Sequence, residues 1–88
     1  MTAARWRAIL AEGVRANPVA PPERPELLAR IDDPADAVPF ADLEFDSLAK
    51  LELCIWLELE QGVMVTEADM AEQGSLGALA AHLAARTG

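Results

Sequence analysis

The chain has 88 residues, 52% of them hydrophobic and 25% charged, with a formal net charge of −8. That length makes one domain, residues 1–88, with a small core, and the composition is too apolar for a disordered chain. No apolar run reaches the ~18 residues of a membrane span, and the N-terminal stretch gives no reason to expect a secretory signal.

The single cysteine, Cys54, cannot close an internal disulfide, so a reducing cytoplasm is the expected compartment. Residues 32–72 hold twelve of the fifteen acids and one base, Lys50. Such a field repels nucleic acid and anionic membranes and attracts basic protein surfaces, though acidity by itself also serves plain solubility. Arginine outnumbers lysine six to one and alanine is abundant, a usage that fits a GC-rich, bacterial genome.

The first predicted helix covers residues 2–16. Thr2 is its cap, Trp6, Ile9, Leu10, Gly13 and Val14 share one face, and Asn17-Pro18 ends it. Residues 18–46 read as a long connection that contains all six prolines, with a short helical turn over Pro25–Ile31 turning Leu27, Leu28 and Ile31 inward. Residues 47–61 give the strongest helix, stopped by Gly62. Val63 and Val65 are expected as buried anchors beside a short helix over 66–72, where Thr66 and Asp69 approximate a capping box. The last helix runs from Leu76 to Arg86, capped by Ser75, with Leu76, Leu79, Ala80 and Leu83 on one face. No strand pattern of useful length occurs. The predicted fold is all-α, a small four-helix bundle of three longer helices and one short one, with a long loop between the first and second.

The stretch Leu43-Glu44-Phe45-Asp46-Ser47-Leu48 carries the functional question. Nucleophilic serine chemistry needs a base and a group that orients it. The only histidine, His82, sits among alanines in the last helix, so a hydrolase built on Ser47 and His82 is a weak reading. One Cys, one His and scattered acids offer no metal-ligand spacing. No catalytic residue and no metal site are assigned, and the chain is not expected to be an enzyme.

At ~100° per residue, Leu48, Leu51, Ile55 and Leu59 fall on one side of the 47–61 helix, and Leu53 and Leu57 fall nearly opposite. Cys54 and Trp56 fill the flanks. A helix apolar on both sides is either a central core element or reserves one face for a partner. A face edged by Glu52 and Glu58 would then be exposed. The helix start also favours an anion, because its free N–H groups and dipole stabilise negative charge. Asp46 or Ser47 would serve equally as its cap.

Asp46-Ser47-Leu48, Leu51-Glu52-Leu53 and Leu57-Glu58-x-Glu60 resemble the acyl carrier proteins and their peptidyl or aminoacyl relatives. The order of helices extends that likeness over nearly the whole chain. The resemblance implies a carrier that acts as a stand-alone protein. A phosphopantetheinyl transferase would use coenzyme A and magnesium to attach 4'-phosphopantetheine to Ser47, and the thiol at the end of that arm would then hold acyl or aminoacyl groups as thioesters.

By the same likeness, Asp46 and Leu48 would be read by the transferase, and Asp46 would help hold magnesium during loading. Leu48, Leu51 and Ile55 would form the apolar docking face, Glu52 and Glu58 would pair with basic residues, and Leu53 and Leu57 would point inward. Partners would be an acyl- or aminoacyl-activating ligase, a synthase or a transferase with a basic docking surface. The pathway would be fatty acid, polyketide or nonribosomal peptide synthesis, and the carrier a monomer. The chain departs from the family at Glu44, where glycine is common, at Phe45, and at Trp56 and Leu59, which enlarge the apolar surface. The competing reading is an acidic docking module that is never modified.

Overall fold

The face formed by Trp6, Ile9, Leu10, Gly13 and Val14 is the face that α1 (Ala3–Arg15) buries. The computed structural model describes residues 1–87. Thr2 caps α1 by accepting a hydrogen bond from the Arg5 N–H. The elements that follow are α2 (Pro25–Asp32), a 3-10 turn (Phe40–Leu43), α3 (Ser47–Gln61), α4 (Glu67–Gln73) and α5 (Leu76–Thr87). Helix α1 packs chiefly along α5 and also against α3 and α2, while α4 joins α3 to α5. Among the described residues the only strand-like pairing is an isolated antiparallel bridge between Pro39 and Ser75.

The core comes from every helix. Leu10, Leu53, Leu57, Leu76, Leu79 and Leu83 are fully buried, each contributing about 1.5–3 kcal/mol by removal from water. Cys54 lies among them with its sulfur 3.9 Å from Met70 Sδ, and burial pushes its thiol pKa up. Helix α3 ends at Gly62 in the left-handed region, φ 68°. The Thr66–Asp69 capping box at the start of α4 is complete, and Ser75 Oγ accepts from the Ala78 N–H to cap α5.

The connection between α1 and α3 differs from the expected long loop. The turn expected over Pro25–Ile31 is an eight-residue helix, α2, because Pro25 sits at a position where its missing N–H costs nothing and Leu27 and Ile31 both bury against α1. Leu28, expected to face inward, remains half-exposed. Beyond α2 the chain is held by polar contacts. Arg7 is only 6% exposed. Its guanidinium donates to the carbonyls of Asp36 at 2.6 Å and Ile31 at 3.1 Å, closing the C-terminal end of α2. Arg30 donates to the carboxylates of Asp36 and Asp42.

Three backbone bonds tie this segment to the α4–α5 junction: Phe40 N–H to Gly74 C=O, Leu76 N–H to Val38 C=O, and Gly77 N–H to Ala37 C=O. A side chain at Gly77 would press on the Ala37 backbone at 3.2 Å, which accounts for glycine there. Val38 takes φ 51° and is fully buried. For a β-branched residue this is a strained conformation, and it is held by the Leu76 bond and by Val38 N–H donating to Asp36 Oδ1.

Candidate functional site

The segment leading into α3 is anchored by apolar side chains on both sides of a turn. Phe40, Leu43 and Phe45 are all buried, and Glu44 between the last two stands exposed with φ 58°. This left-handed position explains why glycine suits the place two residues before the aspartate. Here the buried pair Leu43 and Phe45 holds a glutamate in it. The chain then enters α3 through Asp46 in an extended conformation.

Asp46, rather than Ser47, is the cap. Its Oδ1 accepts from the Ala49 N–H at 2.8 Å, and its carbonyl accepts from the Lys50 N–H. Ser47 is therefore the first residue of the helix, exposed, with Oγ in no hydrogen bond among the described residues. The N–H groups of Ser47 and Leu48 have no intrahelical partners at this end, and the helix dipole favours an anion beside them.

The chain has two serines, each followed by leucine, Ser47 and Ser75. They do different work. Ser75 is half-buried and spends its oxygen on the α5 cap. Ser47 is open to solvent, and its oxygen makes no hydrogen bond among the described residues. His82, on α5, is felt electrostatically by Asp69 in α4, and no hydrogen bond joins it to Ser47 among the described residues. No group of three or more His, Cys, Asp or Glu is arranged to hold a metal ion among those residues.

Along α3 the two faces separate as the helical spacing predicts. Leu53 and Leu57 are fully buried, whereas Leu48, Leu51 and Ile55 are 53%, 43% and 41% exposed. Glu58 beside them is exposed and Glu52 is half-exposed. Leu59 extends the stripe and is more open still. Trp56 is different: it is half-buried and packs against the core, so it adds less to the exposed surface than its type suggests.

Two buried polar residues carry no signal of their burial in the sequence, and one of them, Asn17, borders the site. Asn17 appeared only as a helix stop, yet it is 3% exposed and bonded to α3. Arg7 is buried beside the apolar residues of α1 but bonds to carbonyls at and after the end of α2, away from α3. An unusually placed asparagine before Pro18 was a usable cue for a turn, but nothing local points to its partner 32 positions on.

Residues 26–83 match the family model described as a phosphopantetheine attachment site, and the chain belongs to that family. The family's members are carriers that hold 4'-phosphopantetheine covalently on a serine, and they work with a modifying transferase and with the enzymes that use the carried group. The open, unbonded hydroxyl and free N–H groups at the start of α3 fit such a group. No curated protein and no solved structure matches the chain. No helix among the described residues is long and apolar enough to cross a membrane.

Proposed function

We propose that Ser47 is the serine that carries phosphopantetheine, and that the chain is an acyl or aminoacyl carrier whose exposed α3 face meets its partner enzymes. One observation carries the assignment. Asp46 performs the capping that would otherwise occupy a serine at this position, leaving Ser47 Oγ exposed and unbonded while Ser75 is engaged. In the transfer the serine hydroxyl gives up its proton and its oxygen bonds to the pantetheine-side phosphorus of coenzyme A, as the bond from that phosphorus to the bridging oxygen breaks and adenosine 3',5'-bisphosphate leaves. Of the two serines, Ser47 is the exposed one with its oxygen free for this.

The other residues take roles that follow from their placement. The unpartnered N–H groups of Ser47 and Leu48 lie where a phosphodiester on Ser47 would put its charge. Asp46, with Oδ1 held by the Ala49 N–H, is the residue next to the serine and suits the magnesium that the transferase reaction brings. Leu48, Leu51 and Ile55 offer apolar contact, and Glu52 and Glu58 at its margin draw in a basic surface. The attached group supplies a thiol on a flexible tether, the chemistry that no side chain of this protein provides.

The test is incubation with coenzyme A, magnesium and a broad-specificity phosphopantetheinyl transferase. The proposal expects one added phosphopantetheine in the wild type and in Ser75→Ala, and none in Ser47→Ala. A folded wild type that gains nothing beside an active control carrier would favour an unmodified acidic docking module.

A further inference from the structure

The first turn of α3 is held from two sides at one residue. Ala49 is fully buried, its N–H donates to Asp46 Oδ1 at 2.8 Å, and its carbonyl accepts from Asn17 Nδ2 at 2.9 Å. Asn17 stands just past the end of α1, 3% exposed. Its Oδ1 accepts from the N–H groups of Val19 and Ala20, both at 3.0 Å. All its bonds are to backbone, so they survive any change of the neighbouring side chains. The amide can satisfy these partners in only one orientation, because two donors face one end and an acceptor faces the other.

A carbonyl in the first turn of a helix already has an intrahelical N–H to accept from, so α3 would form without the Asn17 bond. What the bond adds is a fixed relation between α3 and the end of α1. Ser47 lies two residues before Ala49 on an otherwise exposed turn. Fixing both polar groups of Ala49 sets the direction in which the Ser47 Cα–Cβ bond leaves the bundle.

We infer that Asn17 is a positioning residue for the modification of Ser47: through the Ala49 carbonyl it holds the first turn of α3, and with it the Ser47 Cα–Cβ bond, in the orientation that the transferase uses. The inference rests on Ser47 being the modified serine. It places no contact between Asn17 and the transferase, coenzyme A or magnesium. Its effect therefore falls on the rate of the bound complex, and docking is left alone.

The experiment compares steady-state transfer of phosphopantetheine from coenzyme A onto the wild type, Asn17→Ala, Asn17→Ser and Asn17→Asp. Rates are expressed per folded protein from circular dichroism at the assay temperature. Trp6→Phe is a control, since it loses the indole bond to Thr87 Oγ1 at the other end of α1 and weakens the fold away from the site. Asn17→Asp keeps the acceptor toward Val19 and Ala20 and loses the donor toward Ala49.

The expected result is a kcat about tenfold lower in all three Asn17 variants, with KM for the carrier within a factor of two and Trp6→Phe at the wild-type kcat. Amide shifts in the folded variants should move over Asp46–Lys50. Wild-type kcat in the folded Asn17 variants overturns the inference while leaving Ser47 loaded, and so does an equal fall in Trp6→Phe. Absence of loading on the wild type overturns the Ser47 assignment itself, and the positioning role falls with it. Should Asn17→Asp fail to fold, the Ala and Ser variants decide the matter alone.

Discussion

Gly13 and Trp56 are fitted to each other across the α1–α3 contact: a Cβ at Gly13 would stand 2.7 Å from Cε3 of the indole and 2.8 Å from Leu53 Cδ1. Leu53 is fully buried and has nowhere to move. In an isolated helix Gly→Ala gains about 1 kcal/mol. Here overpacking of about 1–3 kcal/mol opposes it. Gly13→Ala should therefore destabilise the protein by about 1 kcal/mol in urea titrations and alter the tryptophan fluorescence. A more stable variant would show that α1 and α3 are not in this contact.

Glu44 and Gly62 both take left-handed backbone angles, φ 58° and 68°. A non-glycine residue there costs about 1–2 kcal/mol. Glu44→Gly should raise the stability or leave it level, while Gly62→Ala, with open space around its Cα, should lower it by about 1 kcal/mol. In thermal melts Gly62→Ala should fall below the wild type, and Glu44→Gly should not. A lower melting temperature for Glu44→Gly would mean that the glutamate side chain has a role at the turn.

Hydrogen bonds from Arg30, and then from the Val38 N–H, hold the Asp36 carboxyl below its usual pKa. A bond from the Thr66 N–H does the same for Asp69. A carboxylate depressed in the folded state contributes stability that is complete above its unfolded pKa, near 4, and is lost as pH falls through the lower folded value. Stability should thus be flat toward neutral pH and decline in acid below about pH 4. Asp36→Asn should be less stable near neutrality and show a shallower acid decline; an unchanged acid limb would remove Asp36 from that account.

Glu52 and Glu58 flank the exposed apolar stripe of α3 and make no salt bridge among the described residues. Reversing both to lysine should change stability by no more than about 0.5 kcal/mol per site. With a basic-faced transferase as the partner, KM for loading should rise several-fold and kcat should hold. The difference should shrink at high salt, where exposed charges are screened. Equal KM values at low salt would take the acidic rim out of docking.

The helices of this fold were legible because their signals are local. Trp6, Ile9, Leu10 and Val14 repeat at helical spacing, Thr66 and Asp69 stand three apart, and Gly62 follows the last residue of α3. The two-faced α3 was legible for the same reason, since Leu53 and Leu57 alternate around the helix with Leu48, Leu51 and Ile55. The α2 helix was underread, because its two buried residues, Leu27 and Ile31, are one pair rather than a repeating pattern.

The polar fastening of the long connection was not legible at all. Arg7 to the Asp36 carbonyl, Arg30 to Asp42 and Asn17 to Ala49 join residues far apart in sequence. Their partners are mostly backbone carbonyls, which every residue carries. At the site, the sequence left Asp46 and Ser47 equal as caps. Only geometry separates them, through the 2.8 Å bond from Ala49 to Asp46.

The most direct measurement is the mapping of the modified residue by tandem mass spectrometry after transferase loading, because Ser47 and Ser75 fall in different peptides. The account predicts one phosphopantetheine, on the peptide containing Asp46-Ser47-Leu48, with the Ser75 peptide unmodified. Phosphopantetheine on Ser75, or none on a folded chain that a dedicated transferase also fails to load, would contradict it.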